Sequence, residues 1–187
     1  MRRPGRLRCQ MSGEAAVLEI VLLSRGPEYT VAVGRIIGGL LIAGDVLALS
    51  GPLGAGKTHL VKGIAAGLGV PGDEPVVSPT FVLVREYAGR LKLFHVDAYR
   101  LAGVNELLSL GFEEMCAETG AAVAVEWADR VAGCIPAGAI RIEMSHEEPA
   151  VRRLCIGNVV PAARFSEWSG RLSSVVAQAS NSDETRR

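Results

Sequence analysis

Residues 51–58 read GPLGAGKT and fit the pattern G-x-x-x-x-G-K-S/T at every defined position. The apolar segment 45–50 precedes this glycine-rich loop and has the length and composition of a buried strand. The segment 57–68 follows it with a helical spacing of apolar residues, and Gly69 and Pro71 mark the end of that helix. The sequence therefore predicts a strand, a tight loop and a helix in direct succession, which is a building unit of layered α/β folds.

Each residue type in the glycine-rich loop has its own chemical use. The glycines allow successive backbone N–H groups to curl around a phosphate at the N-terminus of the helix. Lys57 can bridge the β- and γ-phosphates of a nucleotide, and the Thr58 hydroxyl can bind Mg²⁺. The alternative is a glycine turn that only caps a helix, with Lys57 in solvent. We predict nucleotide binding by Leu53, Gly54, Ala55, Gly56, Lys57 and Thr58.

Short apolar runs elsewhere in the chain predict the rest of the fold. Seven strands are predicted, at residues 17–23, 45–50, 82–87, 91–96, 121–127, 140–144 and 151–156. Helices are predicted at residues 28–42, 57–68, 104–110, 112–116 and 165–177. This mixture predicts an α/β fold of the P-loop NTPase type, with a mixed sheet of about seven strands flanked by helices.

The length, ends and composition limit the remaining possibilities. The 187 residues suffice for one domain, which we place at residues 14–177, between a disordered leader at 1–13 and a disordered tail at 178–187. Met11 is an alternative start within that leader. Twenty Lys and Arg balance twenty Asp and Glu, so no net charge attracts the chain to nucleic acid or to an anionic membrane. The sequence contains no run of 18 apolar residues, the length that could span a membrane. The four widely spaced cysteines suit reduced thiols in the cytoplasm.

Four further segments follow the glycine-rich loop. They are SPTF at 78–81, HVDAYRL at 95–101, Glu106 with the LGF of 110–112, and VEW at 125–127. Together with GPLGAGKT, their order and spacing resemble the TsaE family, the bacterial ATPases of tRNA threonylcarbamoyladenosine biosynthesis. The resemblance extends from about residue 28 to residue 156. It implies a Mg²⁺-dependent ATPase that acts with the TsaB–TsaD complex in forming the threonylcarbamoyl group on adenosine 37 of tRNA. A neutral chain with nine aromatic residues has no RNA-binding signature, so we expect tRNA contact to be indirect.

Three polar residues outside the loop, Thr80, Asp97 and Glu126, complete the predicted site. The predicted catalytic residues are Lys57, Thr80 and Asp97. Thr80 lies in a proline-rich loop that we expect to be mobile, where its hydroxyl could reach Mg²⁺ and the γ-phosphate. Asp97 follows an apolar strand, at the end where α/β sheets bind ligands, and could position the attacking water or a magnesium-bound water. Glu126 ends another apolar strand, so its carboxylate should lie near Thr58 as a magnesium ligand. The alternative roles are a turn residue for Thr80, a turn cap for Asp97 and a solvent-exposed strand end for Glu126.

The resemblance also implies contacts farther from the phosphates. Thr30 matches a position of the adenine-side pocket, and Arg153 matches a late arginine near the nucleotide, with Arg152 as its rival. Trp127 could pack on the nucleotide site, in the core or on a partner. His95 is predicted to be structural, because phosphoryl transfer of this type needs no imidazole.

Two other functions remain open on the sequence. One is a small-molecule P-loop kinase, although such enzymes usually carry an arginine-rich lid and the arginines here are scattered. The other is a nucleotide-gated scaffold, in which ATP orders the Thr80 loop and hydrolysis is incidental. The carboxylates of Asp97 and Glu126 favour turnover, which would be slow until a partner completes the site.

Overall fold

The computed structural model describes residues 7–11 and 16–184, with side chains described over residues 19–174. The strands in these ranges are β1 (Leu7–Met11), β2 (Ala16–Ser24), β3 (Val46–Ser50), β4 (Val84–Tyr87), β5 (Lys92–Asp97), β6 (Ala121–Glu126), β7 (Ile140–Glu148) and β8 (Val151–Gly157). The helices are α1 (Pro27–Leu40), α2 (Lys57–Gly67), α3 (Val104–Ser109), α4 (Phe112–Ala117), a 3-10 helix (Ala128–Cys134) and α5 (Ala162–Glu184). Among these described helices, none is long and apolar enough to cross a membrane.

The described strands form one mixed sheet in the order β1-β2-β8-β7-β3-β6-β5-β4. The four central strands β7, β3, β6 and β5 are parallel, whereas the pairs toward both edges are antiparallel. The carboxyl ends of β3, β5 and β6 therefore lie side by side, and the glycine-rich loop leaves the sheet at this edge. All seven predicted strands are present, and the predicted P-loop NTPase-like α/β fold is confirmed.

The predicted disordered ends differ from the structure. Leu7–Met11, inside the predicted leader, forms β1 and pairs antiparallel with β2 at the edge of the sheet. Backbone groups at a sheet edge can pair with little help from side chains, which is why the composition of this segment did not reveal a strand. Helix α5 continues to Glu184, through most of the predicted tail, because each added turn is stabilised by its own backbone hydrogen bonds. The other predicted disordered residues, 1–6, 12–13 and 185–187, lie outside the described ranges.

Alternating side chains divide the core between the two faces of the sheet. Leu47 and Leu49 of β3 pack on the face covered by α1, α2 and α5. Val46 and Ala48 of the same strand pack on the opposite face, with α3, α4 and the 3-10 helix. A strand that is apolar on both faces must be covered on both, so β3 holds the glycine-rich loop at the centre of the molecule.

Helices α1 and α2 contact each other backbone to backbone. A Cβ on Gly34 of α1 would collide with the carbonyl oxygen of Leu60, and a Cβ on Gly63 of α2 would collide with the carbonyl oxygen of Val31. Larger residues at these positions would push the helices apart. The glycines therefore set the position of α2 against α1, and α2 begins directly at the glycine-rich loop.

Candidate functional site

A cavity of about 380 Å³ opens at the carboxyl edge of the parallel strands. The glycine-rich loop, the loop that carries Ser78 and Thr80, and the ends of β5 and β6 line it. A larger cavity of about 580 Å³ lies over β7 and β8, and no residue of the glycine-rich loop lines it. Because α/β sheets bind ligands beyond the carboxyl ends of their strands, the smaller cavity is the candidate site.

All three glycines of the loop, Gly51, Gly54 and Gly56, hold backbone conformations that other residues rarely adopt. Gly51, directly after β3, has a φ of 134°, and a Cβ there would collide with the carbonyl oxygen of Met144 on β7. Gly56 has a φ of 99° and immediately precedes the first turn of α2. Glycine is therefore needed where the chain leaves the sheet and where it enters the helix. The first residues of α2, Lys57 and Thr58, line the cavity, so the positive end of the helix can bind an anion there.

The side chain of Lys57 folds back onto its own loop. Its Nζ donates hydrogen bonds to the carbonyl oxygens of Gly51 at 2.6 Å and Pro52 at 3.1 Å. The same atom lies 3.5 Å from the centroid of the Trp127 ring. Burial lowers the pKa of Lys57, against the opposing effect of the Glu126 carboxylate. The Lys57 amine is thus held by two neutral carbonyl oxygens and an aromatic face. Charged phosphate oxygens would bind the amine more strongly than these groups do.

Glu126 lies beside Thr58, as its position at the end of β6 predicts. Thr58 Oγ1 donates a hydrogen bond to Glu126 Oε2 at 3.1 Å. The other carboxylate oxygen, Oε1, lies 2.8 Å from Nε2 of His95. Only 3% of the Glu126 side chain is exposed, so the alternative of a solvent-exposed strand end is wrong. A hydroxyl and a carboxylate on one wall of the cavity are the oxygen donors that Mg²⁺ prefers.

Asp97 anchors the loop that carries Thr80. Its Oδ2 accepts hydrogen bonds from Ser78 Oγ and from Thr80 Oγ1, the latter at 2.7 Å. Its Oδ1 accepts a hydrogen bond from the backbone N–H of Tyr99 at 2.9 Å. This last contact is the turn cap that the sequence offered as an alternative role, so Asp97 caps the turn and also lines the cavity.

Trp127 turns the chain out of the sheet directly after Glu126. Its φ of 60° lies in the left-handed region, which residues other than glycine rarely adopt, and it ends β6 one residue earlier than predicted. Its ring lies 5.0 Å from the ring of Tyr99 and faces the Lys57 amine. Trp127 therefore forms part of the cavity wall, at the edge of the core.

Thr30 lies behind the glycine-rich loop. Its side chain is buried, and Oγ1 lies 2.7 Å from Oγ of Ser24. It packs close to Gly56 but does not line the cavity. The contact between Thr30 and an adenine ring stays a prediction.

Of the two rival arginines, Arg152 reaches the glycine-rich loop. Its Nε donates a hydrogen bond to the carbonyl oxygen of Gly54 at 3.2 Å. Arg153 makes no hydrogen bond to residues 51–58, all of which the structure describes. His146 also approaches the loop, with Nε2 3.3 Å from the Leu53 carbonyl oxygen, and sequence analysis did not identify it. It reaches this position because β7 extends past residue 144, its predicted end.

The structure thus brings most of the predicted site residues together. Those that line the one cavity are Leu53, Gly54, Gly56, Lys57, Thr58, Thr80, Asp97 and Glu126. Ala55 is buried within the loop. Sequence analysis missed the contact of His95 with Glu126, although a signal existed, because residues 95 and 97 of one strand must share a face. The partner of His95 depends on which strand lies next to β5, and the sequence does not give the strand order.

Comparisons with known proteins identify the family and agree with this fold. The family model described as "Threonylcarbamoyl adenosine biosynthesis protein TsaE" matches residues 24–154. A tRNA threonylcarbamoyladenosine biosynthesis protein TsaE from Treponema pallidum is 43% identical over 122 residues, which are 65% of this chain and 88% of that protein. The protein of the same name from Mycobacterium tuberculosis is 45% identical over 152 residues, which are 76% of this chain and 82% of that protein. A crystal structure of Bacillus subtilis YdiB has a TM-score of 0.70 at 30% identity, covering 86% of this chain and 98% of that one.

Proposed function

Since the chain belongs to the TsaE family of threonylcarbamoyl adenosine biosynthesis proteins, we propose that it binds ATP with Mg²⁺ in this cavity and hydrolyses it. The chain acts in the biosynthesis of tRNA threonylcarbamoyladenosine, and the family implies nucleotide binding. The observation that carries the proposal is the meeting of Lys57, Thr58, Asp97 and Glu126 around one cavity. In this proposal, hydrolysis drives the tRNA-modification cycle and transforms no small substrate.

The phosphates of ATP would bind at the N-terminus of α2. Backbone N–H groups of the glycine-rich loop would surround the β-phosphate. Lys57 would exchange the carbonyl oxygens of Gly51 and Pro52 for phosphate oxygens. A phosphate oxygen carries negative charge and is the stronger acceptor, so the exchange favours binding.

Mg²⁺ would be held by Thr58 and Glu126, together with phosphate oxygens and water. Their side-chain oxygens lie 3.1 Å apart, and Mg²⁺ at phosphate sites uses only one or two protein carboxylates. Rotation of the Thr58 hydroxyl hydrogen away from Glu126 would turn a lone pair of Oγ1 toward the ion. The bound ion would neutralise negative charge on the β- and γ-phosphates.

Asp97 would orient the water that attacks the γ-phosphate. It lies next to Glu126 in the register of β5 and β6. Its Oδ2 accepts hydrogen bonds from Ser78 and Thr80, so the loop must move before this oxygen can hold a water. The released Thr80 hydroxyl could then reach the γ-phosphate. Turnover by the chain alone should therefore be slow.

We further propose that the TsaB–TsaD complex acts on this loop, with tRNA contacted indirectly and the assembly located in the cytoplasm. Phe81, the neighbour of Thr80, is 81% exposed, and the Arg100 guanidinium lies 4.2 Å from the centroid of its ring. Leu53 of the glycine-rich loop is 78% exposed. Large apolar side chains exposed beside a cavity are typical of protein contact sites. A partner that covers Phe81 would also change the position of Thr80.

A nucleotide-gated scaffold is the second candidate function. The hydrogen bonds that occupy Asp97 Oδ2 favour it, because they would block water activation unless the loop moves. In this alternative, ATP binding alone rearranges the Thr80 loop, and the partner responds to occupancy.

The test is Mg²⁺-dependent phosphate release from ATP by the purified chain, alone and with the TsaB–TsaD complex and tRNA. We expect slow release by the chain alone, stimulation by the partners, and loss of release in Glu126→Gln. ATP binding without release under any condition would reject the ATPase in favour of the scaffold. No ATP binding at all would reject both.

A further inference from the structure

His95 is a buried polar residue that the proposed mechanism does not use. Its side chain is completely buried beneath the cavity, and its Nε2 lies 2.8 Å from Glu126 Oε1. Its other ring nitrogen, Nδ1, has no hydrogen-bond partner among the residues whose side chains are described. Among the described side chains, the His95 ring therefore makes one hydrogen-bond contact, from Nε2 to a carboxylate at the candidate metal site.

The register of the sheet directs His95 toward Glu126. Strands β5 and β6 are parallel, with His95 opposite Ala124 and Asp97 opposite Glu126. Residues two apart on a strand share a face, so His95, Asp97, Ala124 and Glu126 all lie on the face that carries α2. Ala124 is small, and the imidazole can reach past it to the carboxylate of the next residue on that face.

The surroundings of the ring decide which nitrogen carries the proton. A proton on Nδ1 would be a buried donor without an acceptor, which is costly. A proton on Nε2 can be donated to Glu126 Oε1. The tautomer with its proton on Nε2 is therefore the one that these contacts favour.

The carboxylate of Glu126 is held at both oxygens. Oε1 faces His95, and Oε2 accepts a hydrogen bond from Thr58. With both oxygens engaged, the carboxylate plane cannot rotate freely. Removing the His95 donor would leave Oε1 buried and free the plane to turn Oε2 away from Thr58.

We propose that His95 is a positioning residue, which donates from Nε2 to Glu126 Oε1 and thereby aims Oε2 at Thr58 and at the Mg²⁺ that accompanies the nucleotide. This inference rests on the proposed function, because it needs Glu126 to be a magnesium ligand. An apolar residue of similar size would fill the same space without holding the carboxylate, so the hydrogen bond and the packing can be separated by experiment.

The experiment compares His95→Gln with His95→Met. The two side chains are similar in length, but only glutamine can donate a hydrogen bond to Glu126. Calorimetry would measure the affinity for a non-hydrolysable ATP analogue with Mg²⁺ and with EDTA, and the ratio of the two is the gain from magnesium. We expect His95→Met to lower that gain about tenfold or more, His95→Gln to keep most of it, and neither to change the EDTA affinity more than about twofold.

A double variant keeps the outcome tied to Glu126. His95→Met should have no further effect on the gain from magnesium in a Glu126→Gln background. Equal gains in His95→Met and His95→Gln would overturn the positioning role while the proposed function stands. A wild-type gain in Glu126→Gln would overturn the metal assignment and this inference together.

A measurement on the unmodified chain covers the case in which a variant does not fold. The chain has three histidines, so ¹⁵N NMR of the side-chain nitrogens can resolve each tautomer. We expect the proton of His95 on Nε2. A proton on Nδ1 alone would overturn the inference, because Nε2 would then have no hydrogen to donate.

Discussion

The glycine-rich loop and the carboxylates at the ends of β5 and β6 face each other across one cavity, but they are assembled differently. Residues 51–58 are contiguous, and their shape follows from glycines with positive φ between a strand and a helix. The carboxylate side joins residues that are far apart in sequence: His95 and Glu126 are separated by 31 positions, and Thr80 and Asp97 by 17. Glu126 meets Thr58 of the loop across 68 positions. The loop is a local structure, whereas the carboxylate side exists only once the strands have paired in register.

Because of this difference, we expect the loop and the carboxylates to have different roles in binding and in turnover. Backbone groups and one lysine on the loop should provide most of the nucleotide affinity, since they contact the phosphates. The carboxylate side should determine what happens after binding, since its side chains can hold the metal and the water. Substitutions on the two sides should therefore change different measured quantities.

The largest effect is expected on turnover, from Asp97→Asn. An amide keeps the size of the side chain but lacks the negative charge that would hold and orient the attacking water, so we expect phosphate release to fall about a hundredfold or more. The affinity for ATP should change little. Asp73→Asn is the matched control, because Asp73 is an exposed aspartate in the preceding loop. A loss of affinity as large as the loss of rate would contradict this difference in roles.

Lys57→Ala should have the opposite profile. Loss of a charge-assisted contact to phosphate should lower the affinity for ATP about 10- to 100-fold, measured by calorimetry. Lys62→Ala is the control, since Lys62 is an exposed lysine on the same helix. Equal affinities in the two variants would show that the loop lysine does not bind phosphate.

Gly63→Ala tests how far the loop side depends on tertiary packing. The new methyl group would collide with the Val31 carbonyl oxygen, and overpacking of this kind costs about 1–3 kcal/mol. Gly39→Ala makes the same change at an exposed position in α1 with open space around it, and should stabilise the fold by about 0.5–1 kcal/mol. Denaturant unfolding measures both. Equal free energies of unfolding in the two variants would mean that α1 and α2 can move apart without loss of stability.

The smallest effect is expected from Arg152→Ala. The half-buried guanidinium contacts the carbonyl oxygen of Gly54 through a solvent-exposed hydrogen bond, so we expect the affinity for ATP to fall less than about tenfold. Arg153→Ala should leave the affinity unchanged. A larger effect at Arg153 would restore the role that the sequence resemblance gave to that residue.

Much of the fold could be predicted because its signals are local. Runs of apolar residues located all seven predicted strands, and glycine with proline located the end of α2. Strand β1 escaped prediction because it is held by backbone pairing with β2. His146 was missed for a related reason, since the extension of β7 follows from pairing with β8 and has no apolar pattern of its own.

The sequence by itself determined the phosphate loop, its flanking strand and helix, and the family to which the chain belongs. Those features depend on backbone dihedral preferences and on residues adjacent in the chain, which a pattern records directly. Only the tertiary structure decided that His95 contacts Glu126, that Asp97 accepts a hydrogen bond from Thr80, and that Arg152 is the arginine at the glycine-rich loop. Each of these contacts joins separate elements, and its geometry depends on strand order and register, which no local pattern specifies.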